Sequence, residues 1–266
     1  MQNIDPVALL EPVLYVILSV GVVAYWKYRR RLTASVMLLS AVAYFLAIAL
    51  KTVLQEFTYS WMVSTFGATS IPTGLYFGLQ TSIFEVGLAY GVARFAVGRK
   101  QLDGRDAEGY GVALAFWENG VLLGALVMLN LALDYIIIAE GLLPQSVYQT
   151  LVNADPSLFY APSQLLVPTA FGFLERVSSL LLHFSWGYLC VLAAYLGKKK
   201  YLVVALPMGV VDALVPFAGF VALWVFEATV FLLALGALLV TWRVTERDRR
   251  SGYVKVLTTG MPAETA

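Results

Sequence analysis

The chain of 266 residues has one cysteine and one histidine. The lone Cys190 excludes an intramolecular disulfide and any cysteine zinc cluster. Charge is scarce too: Asp, Glu, Lys and Arg make up 13% of the chain, against about 25% in soluble domains. The formal net charge of +1 gives no basic or acidic field of the kind that attracts nucleic acid. The sequence contains no Asn-x-Ser/Thr acceptor, no internal repeat and no low-complexity tract. The N-terminus lacks a basic leader and a small-residue cleavage site, so the first apolar run reads as a retained helix. The stretch Ala222 to Trp242 has no lysine, which excludes a retinal-binding pump of the seven-helix type.

What the chain has in excess is apolar residues, 60% of the total. They lie in runs of about 20, the length that spans a bilayer as a helix. The expected fold is all-α, a polytopic bundle of seven transmembrane helices in the cell membrane. The spans are expected near Pro6 to Trp26, Thr33 to Leu54, Ile71 to Val97, Gly109 to Leu133, Thr169 to Leu196, Tyr201 to Phe220 and Ala222 to Trp242. Tyr135 to Ile138 extends the fourth, and Pro207 and Pro216 are expected to kink the sixth. Basic clusters at Lys27 to Arg31, Arg99-Lys100, Lys198 to Lys200 and Arg243 to Arg250 follow the first, third, fifth and seventh spans. Basic flanks stay cytosolic, which puts the N-terminus outside and the C-terminus in the cytosol, with Lys51 as the main exception. Residues 1–245 form the membrane domain and 246–266 a short cytosolic tail. In the outer segment, about 141–168, Ser146 to Ala154 reads either as an interfacial helix with Tyr148 and Leu151 facing the membrane or as a surface loop.

The informative residues are ionisable groups far from the span ends, each costing at least about 2.5–3.5 kcal/mol at a helix centre. Glu85, Glu118 beside Asn119, Glu175-Arg176, His183, Asp212 and Glu227 come from five spans at comparable depth. They are expected to face inward and meet. Arg176, Ser179, His183 and Trp186 follow a 3–4–3 spacing, one stripe on a helix turning about 100° per residue. Arg176 is expected to neutralise Glu175 or Glu118. Such groups also serve as interhelical struts, and Asp212 between two prolines is placed to satisfy freed backbone groups. Glu85 and Glu118 have no cation near them in sequence and point to a functional cavity.

At these residues the chain resembles a family. Phe84-Glu85-Val86-Gly87 resembles the Phe-Glu-Glu segment of the YhfC-type glutamic intramembrane proteases, which belong with the CAAX prenyl endopeptidases and bacteriocin-processing proteins. Gly109-Tyr110-Gly111, running on to Trp117-Glu118-Asn119-Gly120 and Gly124, resembles the next motif. Glu175-Arg176 followed by His183 resembles the family's Glu-Arg…His helix, and Asp212 before Pro216 the Asp of its His-x-x-x-Asp segment. His183-Phe184-Ser185-Trp186-Gly187 is also similar to a stretch of the anterior-pharynx-defective subunit of gamma-secretase, a seven-helix scaffold. The family's second Glu falls at Val86, and two of its histidines fall at Leu114 and Met208.

The resemblance implies a glutamic-type intramembrane endopeptidase that binds or cleaves membrane-embedded peptide segments. Glu85, Glu118 and His183 are then the catalytic candidates, and Asn119, Glu175, Arg176 and Asp212 the binding candidates. Peptide hydrolysis needs an activated water and a stabilised oxyanion. His183, Asn119 and Arg176 are the donors at the right depth, with Glu85 or Glu118 as the base. The two replaced histidines leave a second reading, a non-catalytic scaffold that docks a partner helix or membrane subunit. A small transporter is a third, since intramembrane carboxylates relay protons. No cofactor is expected, and no metal, because one histidine and scattered carboxylates lack the usual zinc ligand set. The expected partners are the lipid bilayer and a transmembrane peptide or partner subunit.

Overall fold

The computed structural model describes residues 3–154 and 156–250. Their regular structure is helical throughout, as expected. The polar tail expected at 246–266 lies, beyond residue 250, outside the described residues. Seven long helical runs follow one another among the described residues. They are Pro6–Tyr28, Ala34–Phe66, 71–98, Gly104–Ala139, Pro162–Leu196, Lys199–Phe217 and Leu223–Arg250. We number them first to seventh. All but the third are long and apolar enough to cross a membrane. The third is continuously helical, but Gln80, Thr81, Ser82, Glu85 and Arg94 reduce its apolar content.

Local chemistry sets the ends. Thr33 and Ser70 start the second and third helices, their hydroxyls accepting from the amides of Val36 and Thr73. Gly197 closes the fifth in the left-handed region, with φ of +66°. Two helices run further than the sequence suggests. The second continues past Leu54 to Phe66, because no breaker intervenes before Gly67. The fifth begins at Pro162, where a proline at the helix start loses no hydrogen bond, and it carries Pro168 inside it. The outer segment holds a helix, Gln145–Ala154, and a 3-10 turn, Pro156–Phe159. Its Tyr148 does not face the membrane. It is buried against Ile4 and Ile138, with its ring edge-on to Phe159. The N-terminal end of the first helix covers the site where an interfacial aromatic would have met lipid.

The fifth helix is the axis of the bundle. Of its most apolar window 72% is buried, against 11–28% in the other five candidate spans. Its Arg176, Ser178, His183 and Ser185 are buried against the rest of the protein. It packs closely on the fourth helix, and two glycines make that approach possible. A Cβ on Gly187 would stand 2.6 Å from Gly111 Cα, and one on Gly111 would stand 2.6 Å from the Phe184 carbonyl oxygen. The third and sixth helices meet in the same way. A Cβ on Gly78 would lie 2.9 Å from Val210 O, and one on Gly209 would lie 2.7 Å from Ser82 N. Tyr110 donates to Ala89 O at 3.0 Å, and Arg94 to Ala194 O at 3.2 Å, tying the third helix to the fourth and fifth.

The glycine crossing gives a stability prediction. Leucine at Gly111 or Gly187 should overpack the fourth–fifth contact and cost about 1–3 kcal/mol or more. Gly91→Ala, where nothing lies within 4 Å, should cost nothing by packing. Unfolding by SDS titration in mixed micelles, followed by circular dichroism, separates the two. Equal midpoints for G111L and wild type would refute the close contact.

Candidate functional site

A cavity of about 270 Å³ opens among the second to seventh helices, the seventh contributing Val230. Each acid from the third, fourth and sixth helices sits where the backbone leaves α-helical geometry. Glu85 lies in a π-helical turn, Thr81–Val86. Glu118 and Asn119 lie in a longer one, Phe116–Leu126. Asp212 lies in the 3-10 stretch Leu206–Phe217 that begins and ends near prolines. Wide turns of this kind redirect side chains by part of a turn and are frequent at functional sites. The fifth helix supplies the expected stripe, since Arg176, Ser179, His183 and Trp186 all line the cavity.

His183 is 3% exposed and stands at the centre. Its Nδ1 lies 3.0 Å from the Ser179 backbone oxygen, which can only accept. That contact assigns a proton to Nδ1 and turns Nε2 toward two carboxylates. Nε2 is 3.0 Å from Glu118 Oε2 and 3.5 Å from Glu85 Oε2. It has no hydrogen-bond partner of its own. The ring is flanked by Trp186 at 4.3 Å and Tyr44 at 6.3 Å between centroids.

The other oxygen of each glutamate is held by a cation. Lys51 Nζ reaches Glu85 Oε1 at 2.5 Å. Arg176 Nη1 reaches Glu118 Oε1 at 3.2 Å and Asn119 Oδ1 at 3.2 Å, while Nη2 binds Glu175. Asn119 returns a bond from Nδ2 to the Arg176 carbonyl at 3.2 Å. Lys51 also binds Thr81 Oγ1 at 2.9 Å and lies 3.7 Å from Asp212 Oδ2. Thr81 donates to Asp212 as well. The cavity thus holds four carboxylates (Glu85, Glu118, Glu175 and Asp212) and two permanent cations (Lys51 and Arg176).

The expected residues therefore meet. Glu85, Glu118, Glu175, Arg176, His183 and Asp212 line one cavity, and Asn119 is buried behind it, holding Arg176. Glu227 stands apart, buried at 4% exposure, with Oε2 unpartnered and outside the cavity wall. Sequence reasoning missed Lys51. It ended the second helix near Leu54 and so made Lys51 an outer flank. The signal was present: no glycine or proline occurs from Ala34 to Phe66, which puts Lys51 in the middle of that helix. Leu114 and Met208, where the family pattern has histidines, are both buried, and neither lines the cavity.

A family described as YhfC intramembrane metalloprotease matches residues 14–227. The chain belongs to that family. No curated protein and no solved structure matches it. The family's description implies a metal, and the donor set here fits one. Glu85, Glu118 and His183 each offer one atom, all within 4.8 Å of one another. A neutral imidazole with Nδ1–H bound to a backbone carbonyl is the form that ligates through Nε2. Two carboxylates with one imidazole leave a coordination position open, as catalytic sites do. In sequence these carboxylates look scattered, and it is the fold that brings them to the single histidine.

Arg176 is 6% exposed and carries two carboxylates. Arg176→Met should cost about 3–5 kcal/mol, because it leaves buried charge uncompensated. Arg176→Lys should recover only part, since a point charge cannot fork between two acids and Asn119. Unfolding in mixed micelles measures both. An R176M variant as stable as wild type would show that Glu118 is already neutralised by another group.

Proposed function

We propose that this chain is a membrane-embedded endopeptidase and that Glu85, Glu118 and His183 hold a divalent metal ion at its centre. The observation that carries the reading is the convergence of His183 Nε2, with no hydrogen-bond partner, on Oε2 of both glutamates while their other oxygens are held by Lys51 and Arg176. Charge supports it. Four carboxylates against two fixed cations leave two negative charges, a balance that one divalent cation closes in a medium where bare charge is costly. Such an ion supplies a Lewis acid and a water activated near neutral pH.

The chain's own groups have separate tasks. Arg176 and Asn119 fix Glu118. Ser179 fixes the tautomer of His183. Asp212 is outside the donor trio and not paired with a guanidinium, and it is the carboxylate left to take a proton from the attacking water and return it to the departing amine. Lining residues Tyr44, Ile48, Leu122, Leu123, Leu182 and Val230 give the cavity an apolar wall suited to a peptide segment within the bilayer. The third helix joins the six apolar ones as a seventh span, with the N-terminus outside. The basic clusters after the first, third, fifth and seventh helices support that orientation.

A metal-free reading has one observation in its favour. The 3.0 Å approach of His183 Nε2 to Glu118 Oε2 also suits an imidazolium–carboxylate pair, with Glu85 or Glu118 as the base. The scaffold reading is supported by Lys51, which covers Glu85 as a static counterion does.

The test uses the full chain purified in detergent. Metal content by plasma mass spectrometry should approach one divalent ion per chain. It should be lost in His183→Ala and Glu118→Gln, together with cleavage of a fluorogenic transmembrane peptide. Cleavage without metal, insensitive to chelator but abolished in E118Q, would replace this reading by the glutamic one. A metal-loaded protein that binds the peptide without cutting it would be a scaffold.

A further inference from the structure

Lys51 is the fixed cation of the cavity whose spare donor capacity is the more accessible, its side chain 15% exposed against 8% for Arg176. Its ammonium has three N–H donors. Glu85 Oε1 at 2.5 Å takes one and Thr81 Oγ1 at 2.9 Å takes a second. Asp212 Oδ2, at 3.7 Å, attracts the charge but lies beyond hydrogen-bond reach. Arg176 differs. Its Nη1 and Nη2 bind Glu118, Asn119 and Glu175, and the Nε it leaves unpartnered is fully buried and out of a ligand's reach. Trp186 Nε1 is also unpartnered, but it is neutral and answers negative charge less strongly.

Position supports a role in the reaction. Lys51 stands between Glu85 of the donor trio and Asp212, the proton carrier, and its side chain is 15% exposed at the cavity wall. A carbonyl presented to the trio therefore has this ammonium beside it. We propose that Lys51 is a catalytic residue of this site, donating its third N–H to the scissile carbonyl oxygen and stabilising the oxyanion. The proposal rests on the peptidase reading above. The water oxygen bonds to the carbonyl carbon, and the water proton passes to Asp212. The carbonyl π pair moves to oxygen, where Lys51 meets the developing charge. On collapse that pair re-forms the carbonyl, the C–N bond breaks, and the nitrogen takes the proton back from Asp212. Lys51 is charged before and after, so no proton is lost or gained.

Lys51→Met and Lys51→Gln are compared with wild type in detergent. The probes are a fluorogenic transmembrane peptide and the same sequence with a phosphinate at the bond that wild type cuts. Loss of one oxyanion donor should lower kcat by about 100- to 1000-fold with KM within about threefold. Affinity for the phosphinate should fall in parallel with kcat/KM, while affinity for the uncut peptide stays level. Both variants should melt lower, because each leaves Glu85 without its cation, but metal content per folded chain should stay near wild type in K51Q, which keeps a polar head beside Thr81 if K51M fails to fold. A counterion that only holds Glu85 would lower metal content and affinity for both ligands together, and that result would overturn the proposal. So would unchanged kcat. A wild-type chain that cuts nothing would overturn the peptidase reading, and this one with it; cleavage that survives in K51Q overturns only this one.

Discussion

The cavity answers to one constraint: a carboxylate at mid-membrane is costly unless it meets positive charge, and Glu85, Glu118 and Asp212 each meet it on a different helix. Lys51 on the second helix meets Glu85 on the third and approaches Asp212 on the sixth. Arg176 on the fifth meets Glu118 on the fourth. The pairs therefore cross-link five helices around one point. Buried ion pairs are weak sources of net stability, because desolvation offsets their attraction. They are strong sources of specificity, because any packing that separates the partners leaves bare charge in a poor solvent. The arrangement of the helices is fixed by what it would cost to arrange them otherwise.

That constraint explains the irregular backbone. A regular α-helix presents side chains every 100° and offers few ways to aim two acids at one histidine. The π-helical turns at Thr81–Val86 and Phe116–Leu126 and the 3-10 stretch at Leu206–Phe217 adjust that angle locally. The glycines then set the depth. Without the close approach at Gly78 and Gly209, the sixth helix would stand further off, and Asp212 would not reach Thr81. Irregular turns and glycine contacts are parts of one device, one aiming the acids and the other bringing their helices within range.

How much of this was legible depended on which physical signal each feature left. Apolar runs and their basic ends gave the helices, because bilayer thickness is a strong, local constraint. The 3–4–3 stripe of the fifth helix gave its cavity face, because a regular helix makes spacing equivalent to direction. Glu85, Glu118 and Asp212 were legible as residues out of place that should meet, but not in the geometry of their meeting. Their convergence depends on turns that depart from the periodicity a sequence reading assumes. Lys51 was lost for a simpler reason. A helix that runs well beyond bilayer length moves a charge from an apparent end to the middle, and helix ends are the least certain part of any reading. Tyr148 was misplaced because an aromatic on a short amphipathic helix suits lipid and protein equally, and only the packing of Ile4 and Ile138 decides.

With its acids ionised, the cavity carries two negative charges beyond its two cations, and the metal proposed above would use that surplus. A purely architectural network closes its own charge, as Lys51–Glu85 and Arg176–Glu118 each do. Glu175 and Asp212 are added on top, each beside a cation that already has a partner. The surplus can be met by protons on the acids or on His183, or by one divalent ion. The two occupants respond to pH with opposite sign. Bound protons are lost as pH rises, whereas a metal is lost as pH falls and its ligands take up protons. Exchangeable charge of either kind, held beside an apolar wall, is what the peptidase proposed above would draw on to move protons during bond cleavage.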